Sequence, residues 1–122
     1  HAVQAALSGV QTIDALIAPR GRLHEQRDAA WEGLEAIPGV SCVRPAGALY
    51  AFPRLDPNVH EIRDDAKLVL DLLLQEHILL VQGTGFNWPN HDHLRVVTLP
   101  EARVITEAIE RMGNFLASYK QA

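Results

Sequence analysis

Ile78-Leu79-Leu80-Val81 leads into a stretch with two glycines and a proline, Gln82 to Asp92, and then into His93-Leu94-Arg95-Val96-Val97-Thr98-Leu99-Pro100. Both flanking runs are short, apolar and rich in branched side chains, as strands are. In the second run Leu94, Val96 and Thr98 fall on one face, and Arg95, Val97 and Leu99 on the other. Pro100 suits the first position of a helix. Beyond it Ile105, Ala108, Ile109, Met112, Phe115, Leu116 and Tyr119 recur with the clearest helical period in the chain. Strand, loop, strand and amphipathic helix together predict a small sheet with helices packed on it.

The elements upstream fit that outcome. Asp64-Asp65 opens a helix, with Asp64 as its cap, and Leu68, Val69, Leu72 and Leu73 form its apolar stripe. His77 lies near its end. Ala48-Leu49-Tyr50-Ala51-Phe52 reads as a strand covered on both faces. Val40-Ser41-Cys42-Val43 is a shorter strand, Arg44 to Gly47 a turn, and Pro53 to Ile62 a loop. Arg22 to Ala36 is a helix whose inward residues are Leu23, Ala30, Leu34 and Ile37, stopped by Pro38-Gly39. Val3, Leu7, Val10, Ile13 and Ile17 predict a first helix over 2–18, ended by Pro19 and Gly21. The order helix, helix, strand, strand, helix, strand, strand, helix predicts an α+β domain with a small mixed sheet. The chain opens inside a helical pattern with neither Met nor a capping residue before it. The expectation is therefore that residues precede His1.

The chain has 122 residues, which fits one domain. With 48% hydrophobic and 21% charged residues, it has ordinary globular composition rather than that of a disordered or collagen-like chain. The formal net charge is -4, and only Arg20 and Arg22 are basic neighbours, so no patch invites nucleic acid. No apolar run reaches the ~18 residues of a membrane span. The one cysteine, Cys42, excludes an intrachain disulfide and fits a reducing compartment. No leader peptide is visible, and the expected location is the cytoplasm.

Several groups invite a chemical reading. His91-Asp92-His93 places two histidines on one side of an extended segment, but a metal needs three or four convergent ligands. Solvated loop histidines are the plainer account. Cys42 sits where a strand residue packs, as a buried thiol would. Gly83-Thr84-Gly85 resembles the start of a phosphate loop, yet lacks the third glycine of the dinucleotide fingerprint and any following glycine–lysine pair. The carboxylate pairs Asp64-Asp65 and Glu32/Glu35 are explained by capping and solubility. Arg95 stands out because it interrupts an apolar strand. Such a guanidinium is either on a solvated face or aimed at an anion, and its planar fork fits a carboxylate bidentately. The only lysines, Lys67 and Lys120, sit at an exposed helix start and near the C-terminus. Neither suits a Schiff-base amine, which needs desolvation.

An ordered series of segments carries a resemblance over essentially the whole chain. It comprises Gly21-Arg22-Leu23-His24-Glu25-Gln26-Arg27, Pro38 to Val43, Gly47 to Pro53, Leu79 to Pro89 and His93 to Pro100. These segments resemble the C-terminal part of class I/II aminotransferases of fold type I, and most closely the bacterial alanine (glutamate–pyruvate) group. The resemblance implies the C-terminal small domain over 1–122, with residues 1–20 a helix continuing from a large domain outside this chain. That large domain would hold pyridoxal 5'-phosphate on a lysine, and the whole enzyme would be a homodimer. It would move an amino group between an amino acid, alanine or glutamate, and a 2-oxo acid. Arg95 falls at the position whose arginine binds the substrate α-carboxylate, and Tyr50 lies on a strand near the substrate. No catalytic, cofactor-binding or metal-binding residue of the family lies in this chain, so the piece alone is expected to be inactive. Two alternatives remain: aspartate as the substrate, or an aminotransferase-like regulator domain that binds an effector without turnover.

Overall fold

The computed structural model describes residues 1–121. Five α-helices, α1 (Ala2–Leu7), α2 (Thr12–Ile17), α3 (Arg22–Glu35), α4 (Asp65–Glu76) and α5 (Ala102–Ser118), accompany five short strands. The strands are β1 (Val40–Ser41), β2 (Tyr50–Ala51), β3 (Arg54–Leu55), β4 (Val81–Gln82) and β5 (Leu94–Val97). Strands β1 and β3 pair with each other, while β2, β5 and β4 form a second sheet in that order. The α+β class is as expected. Every pairing among the described residues is antiparallel, where a sheet of mixed direction was expected. The cause is topological. The β2–α4–β4 crossover skips one place, so β2 and β4 run the same way but never touch. Strand β5 fills the gap from the opposite direction.

The core lies between the sheet and the α3–α5 pair. Leu34 and Ala30 of α3 meet Ile105, Ile109, Met112, Phe115 and Leu116 of α5, with Leu94 and Val96 of β5 and Leu68 and Leu72 of α4 completing it. Two glycines let the helices approach. A Cβ on Gly33 would stand 3.1 Å from Ile109, and one on Gly113 would stand 3.2 Å from Ile37. Ile109 of α5 therefore fills the notch in α3, and Ile37, just past the end of α3, fills the notch in α5. Asp64 caps α4 as anticipated, its side chain accepting the Lys67 N–H at 2.9 Å. The C-terminal end folds back on that cap. Gln121 accepts the Arg63 and Asp64 amides and donates to the Asp64 carbonyl, while the Tyr119 hydroxyl donates to Asp71 at 2.7 Å.

Four local expectations need correction. The single helix over 2–18 is two short helices broken at Ser8–Gln11, with Gly9 at φ +88°. Ser8 and Gly9 are weak helix formers, and the Ser8 hydroxyl and Gln11 amide bond back to carbonyls of α1. No packing overrides this, since Val3, Leu7 and Val10 are all exposed. The strand expected over 48–52 shrinks to Tyr50–Ala51, because Ala48 takes a left-handed φ of 58° and bends the chain. Helix α5 begins after Glu101 rather than at Pro100, and β3 forms inside a stretch expected to be loop.

Candidate carboxylate site on the open sheet face

Side-chain alternation along β5 sorts its residues. Leu94 and Val96 are buried toward the helices, whereas Arg95 and Val97 point to the opposite face. Register then decides what surrounds Arg95. Val97 pairs with Tyr50 on β2, and Arg95 with Val81 on β4, so Tyr50, Arg95 and Val81 share that open face. The Arg95 guanidinium carbon lies 4.6 Å from the centre of the Tyr50 ring. A second ring, Phe86, closes from the other strand's side at 4.2 Å. Both distances are within cation–π range. The rings are themselves half open to solvent, at 47% for Tyr50 and 46% for Phe86.

The fork is held yet unspent. Arg95 Nε is buried with no hydrogen-bond partner, and Arg95 forms no ion pair among the described residues. The aromatic faces fix the plane of the guanidinium without consuming its N–H groups. That leaves a fixed cation whose unused donors match a carboxylate. Both residues named from the sequence, Arg95 and Tyr50, are thus brought together. Phe86 was missed: nothing in the spacing of a glycine-rich loop singles out its aromatic residue.

The loop itself is built rather than flexible. Gly83–Phe86 forms one 3-10 turn. The Gly83 N–H donates to the His93 carbonyl at 2.8 Å, and a Cβ at Gly83 would stand 2.8 Å from that same oxygen. Only glycine permits this approach. The Thr84 N–H and hydroxyl both donate to Asp65, so the amide a phosphate would need is already used. Asp65 also accepts from His91 Nδ1 at 3.0 Å and is only 1% exposed. Reading the Asp64-Asp65 pair as surface carboxylates is therefore half right: Asp64 caps, and Asp65 is buried. Burial pushes the Asp65 carboxyl up, but bonds from His91 and Thr84 outweigh it and hold it below the ordinary value.

The histidines of the His91-Asp92-His93 stretch turn to different carboxylates. His91 reaches Asp65, and His93 reaches Asp92 at 2.8 Å while stacking on Phe52 and packing at a tilt against Trp88. Cys42 is buried, which pushes its thiol up and away from nucleophile behaviour. A cleft of 630 Å³ between Pro57–Glu61 and the end of α5 holds no residue of the open sheet face.

Asp92 is the hub beneath this loop. Its carboxylate accepts from Arg54 Nε at 3.0 Å, Trp88 Nε1 at 3.0 Å and His93. Burial pushes its carboxyl up, yet the bonds from His93, Arg54 and Trp88 prevail and lower it from the usual 3.8 to about 2. The folded state thus binds this proton less tightly than the unfolded chain does. The stabilisation is complete above about pH 4 and fades as pH falls toward 2, amounting to about 2 kcal/mol. Urea unfolding across that window should show the loss in the parent protein and a smaller slope in Asp92→Asn. Parallel slopes would contradict the hub.

No family model matches the chain. Curated relatives do. Alanine aminotransferase of Mycobacterium tuberculosis is 68% identical over 121 residues, covering 99% of this chain and 28% of that protein. Glutamate-pyruvate aminotransferase AlaA of Escherichia coli is 55% identical, covering 99% of this chain and 30% of that protein. Among solved structures, an aminotransferase from Escherichia coli superposes with a TM-score of 0.96 at 55% identity, over 100% of this chain and 30% of that one. Alanine aminotransferase from Pyrococcus furiosus superposes with a TM-score of 0.73 at 37% identity, over 80% of this chain and 24% of that one. The chain thus spans a little under a third of the curated relatives it matches, and the matched stretch is their C-terminal part. By sequence and by fold, the chain matches the C-terminal part of the fold type I aminotransferases.

Proposed function

We propose that this chain is the substrate-closing domain of a pyridoxal-phosphate-dependent transaminase, with Arg95 gripping the α-carboxylate of the amino acid or 2-oxo acid. The observation that carries the reading is the unpaired guanidinium clamped between Tyr50 and Phe86 on the face of the sheet turned away from the buried Leu94 and Val96. Alanine and glutamate with their oxo acids are the preferred substrates, because the 68% and 55% identical relatives are named for them. An aspartate aminotransferase of Bacillus subtilis matches at only 33%. The regulator alternative is not favoured, since these relatives are named as aminotransferases.

The residues of this chain do not fit the cofactor. Lys67 Nζ is committed to Asp71 at 2.6 Å, which raises its affinity for the proton, and Lys120 is exposed near the C-terminus. A Schiff-base amine must shed its proton, so neither lysine serves. Cofactor chemistry then belongs to the large domain, and this chain supplies binding and orientation. Two parallel N–H···O bonds from Arg95 would fix the carboxylate plane and with it the direction of the Cα–H bond. The rings of Tyr50 and Phe86 would keep water from the fork once a partner surface closes over them. The exposed apolar side chains of α1 and α2 suit a segment 1–20 that runs on from the large domain. A homodimer with sites at the subunit interface, working in the cytoplasm, completes the proposal. No helix among the described residues is long and apolar enough to cross a membrane.

The test is steady-state transamination by the full-length holoenzyme with L-alanine and 2-oxoglutarate, beside the 122-residue chain alone. Turnover by the first and none by the second is expected. A full-length holoenzyme that transaminates no amino acid and 2-oxo acid pair would overturn the reading.

A further inference from the structure

We propose that Asp65 is a positioning residue for the carboxylate fork: through Thr84 it holds the Gly83–Phe86 turn so that Phe86 stays against Arg95. This rests on the reading of Arg95 given above. Asp64, not Asp65, caps α4, so capping does not explain why Asp65 is there. Burying a carboxylate is costly unless its lone pairs are met. Here they are met by three donors, and two of them belong to one residue of the turn: the Thr84 amide at 3.0 Å and the Thr84 hydroxyl at 2.8 Å. The third, His91 Nδ1, comes from the far end of the same loop. The negative charge also sits at the start of α4, where the helix dipole favours it.

The turn is fastened at its ends as well. Val81 and Gln82 just before it are in register with Arg95 and Leu94, and Gly83 bonds the His93 carbonyl. After it, Asn87 takes a left-handed φ of 60°, and the Trp88 N–H returns to the Gly83 carbonyl. Among the described residues, the Asp65–Thr84 pair supplies the hydrogen bonds that tie the turn to a helix. Phe86, two residues beyond Thr84, is what it aims. Losing the link frees Phe86, and Arg95 then regains rotamers that it must surrender again on binding.

The experiment uses the full-length holoenzyme and two probes, L-alanine in turnover and propionate as a carboxylate without the amino group. Thr84→Val keeps the side chain's shape and removes the hydroxyl. It should raise both KM for L-alanine and Kd for propionate about tenfold, with kcat changed less, as loss of binding common to ground and transition states does. Thr84→Ser should restore both constants, and Phe86→Leu should reproduce the Thr84→Val result. A structural effect alone is separated by Ile37→Val, a core change that lowers thermal stability and should leave propionate binding intact. Unchanged propionate binding in Thr84→Val and Phe86→Leu, with Arg95→Lys still losing it, would overturn the positioning role and spare the fork. Propionate binding unaffected by Arg95→Lys would overturn the fork reading and this inference with it.

Discussion

Arg95→Lys in the full-length protein is expected, on the proposed transaminase reading, to lower kcat/KM for L-alanine by about 10²-fold, a loss of about 3 kcal/mol of transition-state binding. The size follows from geometry. A guanidinium offers two parallel donors in one plane, and an ammonium offers a single strongly hydrated point of charge. Tyr50 and Phe86 hold a flat group between them at 4.6 and 4.2 Å, and an ammonium on a flexible stem would not be held the same way. KM should rise because the carboxylate is bound less tightly, and kcat should fall because its plane is no longer set. Single-turnover kinetics with L-alanine separate these two effects. Since Arg95 makes no ion pair among the described residues, the fold should survive, and melting of the variant checks this. Kinetics like those of the parent would remove Arg95 from the site.

Leu34→Ala should destabilise the protein by about 3 kcal/mol, within the range of buried leucine truncations. Leu34 is 0% exposed, at the centre of the α3–α5 contact, where the Gly33–Ile109 and Gly113–Ile37 notches bring the helices together. Backbones that close leave little freedom to collapse into the space vacated, so the cavity term should be kept rather than relaxed away. Urea unfolding would show a lower midpoint with an unchanged slope. A loss below about 1 kcal/mol would mean that the two helices do not meet as described.

The two results probe different kinds of legibility. The Leu34 contact could be anticipated, because α3 and α5 repeat their apolar residues with the period of the helix. In α5 Ile105, Ile109, Met112, Phe115 and Leu116 are all buried, as that period predicts. Arg95 was legible as an anomaly, a cation in an apolar strand, and the family resemblance turned the anomaly into the expectation of a carboxylate site. The first helix misled for the opposite reason: its apolar spacing is helical, but Ser8 and Gly9 break it where no packing compensates. Apolar spacing also said nothing of Gln26, whose amide is buried in α3 beside Ala30 and Leu34 on the inward stripe.

By itself the sequence determined the α+β class, the α5 seam, the Asp64 cap, the face of the late strand that Arg95 shares with Val97, and that Lys67 and Lys120 are the only lysines. Each of these is local, a matter of period, cap or residue count along one element. Only the tertiary structure decided that Asp65 is buried, that Phe86 completes the clamp, and that β5 separates β2 from β4. Those outcomes depend on which segments meet across the chain, and burial is a property of the contact rather than of either segment.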